Sequence, residues 1–102
     1  MSEWKQVAVL EDIPRLGSRV VKTATSDIAV FRTSEDKVFA LHDHCPHKGG
    51  PLSQGIVHGD KVTCPLHSWN IGLCDGQAQA PDVGSTACIE VKLENGLVFL
   101  KV

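Results

Sequence analysis

The feature that most constrains this chain is a paired arrangement of cysteine and histidine near its middle. Cys45-x-His47 is followed, after sixteen intervening residues, by Cys64-x2-His67. All five histidines of the sequence fall between His42 and His67. One or two spacer residues on a tight loop let both side chains of a pair converge on one metal centre. We therefore expect two loops, each supplying one thiolate and one imidazole, to be held together by the rest of the fold.

Length and charge limit what surrounds these loops. A chain of 102 residues makes one domain, 1–102, and is long enough for a single hydrophobic core. Ten Lys and Arg against twelve Asp and Glu give a net charge of −2, which argues against electrostatic capture of nucleic acid or an anionic membrane. Apolar runs such as Leu97–Leu100 are too short to span a bilayer, and no export signal is visible at the N-terminus. We expect a cytoplasmic protein.

The periodicity outside the loops is that of short β-strands. Cys88–Leu93 alternates, which predicts one strand with Ile89, Val91 and Leu93 on the same face. Asn95-Gly96 then predicts a two-residue hairpin turn of type I′. The remaining predicted strands are Arg19–Ala24, Ile28–Thr33, Lys37–Leu41, Lys61–Cys64, Trp69–Leu73 and Leu97–Val102, with a turn at Thr25-Ser26-Asp27 between the first two.

No segment offers ten or more residues with a helical period, so we predict an all-β fold, a small antiparallel sandwich or barrel. Two stretches interrupt the strand pattern. Asp43–Gly59 is rich in turn residues, and a second punctuated stretch surrounds Cys64–His67. Each carries one of the two cysteine–histidine pairs.

Two kinds of metal centre accept two thiolates and two imidazoles: tetrahedral zinc, and an iron–sulfur cluster with split ligation. Zinc knuckles usually begin with two closely spaced cysteines, whereas each pair here holds one Cys and one His. The matched pairs fit a Rieske-type [2Fe–2S] cluster, in which one iron takes both thiolates and the other takes both imidazoles. Two ferric ions, two sulfides and two thiolates leave the oxidised centre neutral, so it accepts an electron at about −150 to +300 mV. A zinc-stabilised interaction module without a redox role remains an alternative.

The residues around the ligands carry a resemblance to a known family. The first loop reads Cys45-Pro46-His47-Lys48-Gly49-Gly50-Pro51-Leu52-Ser53-Gln54-Gly55, and the second reads Thr63-Cys64-Pro65-Leu66-His67-Ser68-Trp69. With these loops the chain resembles Rieske ferredoxin-like proteins, and it is most similar to the small subunits of assimilatory NAD(P)H nitrite reductases. The resemblance extends from about Trp4 to Val102.

The resemblance implies a Rieske-type fold with a cluster-binding subdomain at about residues 42–82. It implies that Cys45 and Cys64 bind the buried iron, and that His47 and His67 bind the outer iron. It also implies a third, proline-containing loop at Gln79-Ala80-Pro81-Asp82, placed over the cluster.

The partner implied by the resemblance is a large nitrite reductase subunit that carries siroheme and flavin and reduces nitrite to ammonium. This chain would then be an electron-transfer or accessory subunit with no catalytic residues of its own. The alternative is a stand-alone Rieske ferredoxin that serves an aromatic-ring-hydroxylating dioxygenase. Such carriers often read Cys-Thr-His in the first loop, so Cys45-Pro46-His47-Lys48 favours the nitrite reductase group.

Several reactive residues fall outside this site. Cys74 and Cys88 are interpreted as inert thiols, since free cysteine is commonly a small buried apolar residue, with a disulfide between them as the lesser alternative. Trp69 is expected to pack beneath the second ligand loop. Hydrogen-bonding or solvated roles are expected for the histidines that are not ligands, His42, His44 and His58.

Overall fold

Antiparallel β-strands dominate the structure, a computed structural model that describes residues 4–23, 27–43, 51–64, 69–73, 76–78, 84–86 and 88–101. In these ranges the chain forms ten strands: β1 (Trp4–Val9), β2 (Ser18–Lys22), β3 (Asp27–Arg32), β4 (Val38–His42), β5 (Ile56–His58), β6 (Lys61–Thr63), β7 (Asn70–Gly72), β8 (Cys88–Ile89), β9 (Val91–Glu94) and β10 (Leu97–Lys101). Two single turns of 3₁₀ helix lie at Leu10–Asp12 and Leu52–Gln54. The prediction of an all-β antiparallel fold is confirmed. Among the described residues, no helix has the length and apolar character needed to cross a membrane.

The strands form three sheets, ordered β1-β10-β9, β2-β3-β4-β8 and β5-β6-β7. Two clusters of buried side chains separate them. The first, named the upper core, joins the four-stranded sheet to the β5-β6-β7 sheet: Ala29, Phe31, Leu41, Leu52, Val57, Val62, Cys64, Ile71 and Leu73. The second, the lower core, joins the four-stranded sheet to the β1-β10-β9 sheet: Ala8, Ile13, Ile28, Val30, Ala40, Val98 and Leu100. The four-stranded sheet is therefore the middle layer.

Strand β3 explains why the middle layer is stable. Its four central residues, 28–31, are all apolar and at most 2% exposed. Successive side chains of a strand point to opposite faces, so Ile28 and Val30 enter the lower core while Ala29 and Phe31 enter the upper core. A strand that is covered on both faces reads as a continuous apolar run rather than an alternating one.

The hairpin turn predicted near the C-terminus is confirmed. Asn95 and Gly96 both have positive φ, 52° and 76°, as a type I′ turn requires. They join β9 to β10, in which Leu97 pairs with Glu94.

The single strand predicted over Cys88–Leu93 is wrong, because the chain changes sheets within it. Strand β8 pairs with β4, whereas β9 pairs with β10. The change takes place at Glu90, whose carbonyl accepts a hydrogen bond from the Lys101 N–H at 3.0 Å. Leu93 is consequently exposed instead of lying on a buried face with Ile89.

Other boundaries differ by a residue or two. Asp27, predicted in a turn, begins β3, while Thr25 and Ser26 lie outside the described residues. Two strands, β1 and β5, were not predicted. Strand β5 has three residues between Gly55 and Gly59, inside the segment interpreted as turn-rich, and such a short run gives no periodic signal.

A charged cluster ties the chain after β1 to the β3–β4 hairpin. The half-buried Arg32 donates to the carbonyls of Leu10 and Ile13, and its Nη2 lies 2.8 Å from Oδ1 of Asp36. Arg15 adds a second guanidinium, with Nε 3.1 Å from the same oxygen. Hydrogen bonds from Arg32 and then from Arg15 hold the pKa of the Asp36 carboxyl below its usual value.

This cluster predicts an acid-sensitive contribution to stability. A carboxyl whose pKa is lowered by folding stabilises the fold at pH values above its unfolded pKa, and the contribution disappears as the pH falls through the lowered value. We expect Asp36→Asn to lower the free energy of unfolding at pH 7 and to make little difference at the acid end, as measured by urea unfolding at stepped pH. Asn tolerates the positive φ of this position, 63°.

The control for this experiment is Glu35→Gln, which removes an exposed ion pair to Lys37 at 3.6 Å. Exposed pairs contribute little, so its unfolding curve should match that of the wild type. A difference between Asp36→Asn and wild type that does not vary with pH would show that the carboxylate charge is not the source of the effect.

Candidate metal centre

Cys64 is the predicted ligand that falls among the described residues, while Cys45, His47 and His67 lie outside them. It directly follows β6 and is 1% exposed. Since alternate residues of a strand share a face, Cys64 lies on the same side as Val62, within the upper core. A thiolate in this position can bind a metal on the side that faces the upper core, where the surrounding apolar residues keep water away.

The ends of the second loop are closed by hydrogen bonds. Strand β6 pairs with β7, with Thr63 opposite Asn70. The Cys64 N–H then donates to the Trp69 carbonyl at 2.7 Å, which extends the ladder to the base of the loop. Trp69 packs against the upper core; its predicted place beneath the loop involves residues 65–68, which lie outside the described residues. The segment 65–68, which contains the predicted ligand His67, therefore starts and ends at a fixed pair of residues.

The first loop is closed in a different way. The Asp43 carboxylate accepts hydrogen bonds from the Ser53 N–H at 2.7 Å and from the Ser53 hydroxyl at 2.9 Å. The Ser53 carbonyl in turn accepts a hydrogen bond from the Ser18 hydroxyl at 2.8 Å, and the Asp43 N–H donates to Asp27 at 3.0 Å. Segment 44–50, with two predicted ligands, is thus anchored at both ends to β2 and β3.

The two loop bases are packed directly against each other. Leu52 lies near the end of the first loop and is fully buried in the same core as Cys64. A Cβ on Gly55 would overlap the Thr63 carbonyl and lie 2.9 Å from Cγ2 of Val62. The φ of Gly55 is −79°, so glycine is needed here for space and not for a left-handed backbone. The chain leaving the first loop therefore rests on the strand that leads to the second.

The residues that close the loops were not singled out by the sequence analysis. Asp43 and Ser53 are ten positions apart and belong to no periodic pattern, and Thr63 and Asn70 meet only because β6 and β7 pair. The signal that could have found them is their position at the boundaries of the two ligand segments. Gly55 is among the turn residues of the Asp43–Gly59 stretch and belongs to the family resemblance, but neither signal indicates its contact with Thr63.

The remaining histidines and cysteines have these positions. His42 ends β4 and is half-buried, and His58 is exposed with Nε2 2.7 Å from the Thr63 hydroxyl, in line with a hydrogen-bonding role. Cys88 is exposed, so the expectation of a buried apolar role is wrong for this residue. His44 and Cys74 lie outside the described residues. Across the described ranges, no group of three or more Cys, His, Asp or Glu side chains is arranged as a rival metal site.

Comparison with known proteins places these loops in a family context. The model of the Rieske [2Fe-2S] domain matches residues 3–90. The ferredoxin component of naphthalene 1,2-dioxygenase/salicylate 5-hydroxylase systems from Ralstonia sp is 32% identical over 100 residues, covering 97% of this chain and 95% of that protein. The chain also matches part of longer oxygenase components and spans 27% of the length of one of them.

Two solved structures show the same fold. A chain from a complex of reduced oxygenase and oxidised ferredoxin in carbazole 1,9a-dioxygenase superposes with a TM-score of 0.84 at 27% identity, covering 96% of this chain and 92% of that one. A chain from Mycobacterium tuberculosis described as an NADH-dependent nitrite reductase small subunit superposes with a TM-score of 0.88 at 20% identity, covering 100% and 96%.

The contact between the loop bases generates a prediction. We expect Gly55→Ala to lower the free energy of unfolding by about 1–3 kcal/mol, because the added methyl group must displace the Thr63 backbone or the Val62 side chain. Since both loop bases move, the variant should also retain less iron after purification. Thermal or urea unfolding and an iron assay measure the two effects.

Gly59→Asn is the matched control. Gly59 has a φ of +58° with nothing within 4 Å of a Cβ, and Asn accepts this backbone conformation. It should retain iron as the wild type does. Equal iron retention in Gly55→Ala and wild type would contradict the coupling of the two loops.

Proposed function

Because the chain belongs to the Rieske [2Fe-2S] domain family, whose model matches residues 3–90, we propose that it is a one-electron carrier acting as the small subunit of an NAD(P)H-dependent nitrite reductase. Its cofactor is a [2Fe-2S] cluster, which accepts and releases single electrons. We propose that Cys45 and Cys64 bind one iron and that His47 and His67 bind the other.

The observation that carries the electron-transfer role is the position of Cys64. The family has a cysteine at the base of the second loop, and Cys64 occupies that position, 1% exposed and directly before the segment that contains His67. Its donor chemistry fits the cluster, since a buried thiolate is the ligand expected on the protected iron.

The chain's own residues hold the ligand loops and shield them from one side. Asp43 and Ser53 close the first loop, Cys64 N–H and Trp69 close the second, and Leu52 fills the upper core between them. Such supporting contacts orient the ligands of a metal site before the metal binds.

The first-loop sequence supports the nitrite reductase assignment. Cys45-Pro46-His47-Lys48 matches the nitrite reductase small subunits better than the Cys-Thr-His of many dioxygenase ferredoxins. A protein described as such a small subunit has the same fold over the whole of this chain, so the fold is compatible with this role. On this assignment nitrite is reduced on a large siroheme- and flavin-containing partner, and this chain supplies no catalytic residue.

The second candidate is a ferredoxin that delivers electrons to an aromatic-ring-hydroxylating dioxygenase. It is favoured by the 32% identity to the Ralstonia ferredoxin component, which spans nearly the full length of both chains. Both candidates require the same cluster and differ in the partner.

The ligand set is tested on the purified chain. We expect a red-brown protein with equal amounts of iron and sulfide and, once reduced, an EPR signal typical of Rieske centres. Cys64→Ala and His67→Ala should each lose the signal because an iron loses a ligand. His42→Ala, a histidine outside the proposed set, should retain it. A colourless protein that contains zinc would instead support the non-redox interaction module.

The partner is tested by reconstitution. We expect the chain to co-purify with a large siroheme flavoprotein, and nitrite-dependent NAD(P)H oxidation to fall when the chain is removed. Wild-type chain should restore the activity, and Cys64→Ala should not. Unchanged nitrite reduction without the chain, together with rapid electron delivery to a ring-hydroxylating oxygenase, would establish the second candidate.

A further inference from the structure

Three polar side chains form a continuous chain of hydrogen bonds on the outer face of the β5-β6-β7 sheet. The Thr63 hydroxyl donates to Oδ1 of Asn70 at 2.7 Å, and Nε2 of His58 lies 2.7 Å from the same hydroxyl oxygen. A hydroxyl has a single hydrogen, so with that hydrogen directed to Asn70 the bond from His58 forms in the tautomer that carries a hydrogen on Nε2. Each of the three strands contributes one residue to the chain.

These three hydrogen-bonded side chains lie directly beside the base of the second ligand loop. Thr63 and Asn70 are directly paired across β6 and β7, and of the paired residues in these two strands they are the ones nearest to the loop. Their neighbours Cys64 and Trp69 form the backbone hydrogen bond at the loop base. Cys64 points into the upper core, so the polar chain secures the opposite face of the same hairpin end.

The sheet is also held together on its other face. Its inner face is held by Val57, Val62 and Ile71, which are at most 3% exposed. Strands β6 and β7 have only three residues each, so few ladder bonds resist opening at the loop end. A cross-strand side-chain bond at that end acts where the backbone ladder is weakest.

We propose that His58, Thr63 and Asn70 are positioning residues for the second ligand loop: they hold the hairpin end closed, so that Cys64 and the loop after it keep one geometry toward the cluster. The proposal rests on the ligand set proposed above. It assigns the three residues no contact with the cluster, and their effect passes through the backbone of Cys64.

Thr63→Val and Thr63→Ser form the decisive pair of variants. Valine keeps the shape and the strand preference of threonine but has no hydroxyl, whereas serine keeps the hydroxyl. We expect the cluster-loaded Thr63→Val chain to lose iron to a chelator about threefold to tenfold faster than wild type, the change expected from losing one to two hydrogen bonds. Its reduced EPR signal should broaden or split because the ligands no longer keep one geometry. Thr63→Ser should resemble wild type in both measurements.

The role of His58 is tested by a double-mutant cycle. His58→Ala should accelerate iron loss less than Thr63→Val, because the bond from Thr63 to Asn70 remains. Adding His58→Ala to Thr63→Val should change nothing further, since its partner hydroxyl is already gone. Additive effects of the two substitutions would show that the residues act independently and would contradict the proposed chain of hydrogen bonds.

Global destabilisation is separated from positioning by Asp36→Asn, which lies in the charged cluster of Arg15 and Arg32. If Asp36→Asn accelerates iron loss as much as Thr63→Val at the same loss of unfolding free energy, the proposal is wrong. It is equally wrong if Thr63→Val and wild type lose iron at the same rate.

Hydrogen–deuterium exchange of the peptide that covers residues 61–72 gives a readout independent of activity. We expect faster exchange in Thr63→Val than in Thr63→Ser, confined to this hairpin. Absence of a cluster from the wild-type chain would defeat the proposed function, whereas equal exchange in the two variants would defeat the positioning role alone.

Discussion

Burial of strand β3 on both faces is the constraint on which the rest of the structure depends. One face of the strand packs against the β1-β10-β9 sheet through the lower core, and the other packs against the β5-β6-β7 sheet through the upper core. Phe31 is the largest fully buried side chain in the described residues, and it lies on the side of Leu52 and Cys64. A polar residue at position 29 or 31 would leave the loop bases without their apolar support.

Hydrogen bonds at the surface of the upper core determine where each loop begins and ends. The first loop is closed by a carboxylate that accepts two hydrogen bonds from one serine, and the second by backbone and side-chain pairs at the end of a hairpin. Charged acceptors form the stronger hydrogen bonds. The stronger closure thus belongs to the first loop, in which Asp43 and Ser53 enclose nine residues of the sequence, whereas Cys64 and Trp69 enclose four. Longer loops lose more entropy on closure, which makes this assignment physically reasonable.

Local signals in the sequence predicted part of this architecture well. Asn95-Gly96 encodes its turn through two positive φ angles, so no other part of the chain is needed to predict it. The prediction of one strand over Cys88–Leu93 was wrong because alternation shows which residues share a face but not which sheet a strand joins. The change of sheet at Glu90 depends on pairing with two different strands, β4 and β10. The Asp43–Ser53 closure has no periodic signal at all. The cysteine and histidine spacing predicted the family, while all four ligand assignments remain predictions and three of these residues lie outside the described part of the chain.

The shared fold limits what structural likeness can say about the partner. The chain superposes with TM-scores of 0.84 and 0.88 on proteins named for two different redox systems. A backbone common to both cannot select between an oxygenase and a nitrite reductase, so the choice must lie in side chains. Residues that build the middle layer are poor candidates, because both systems need that layer. The first-loop sequence is the better discriminator, since loops on a rigid scaffold vary with function while the scaffold is retained. The short segment Cys45–Lys48 therefore carries more weight in the proposed assignment than identity averaged over the whole chain.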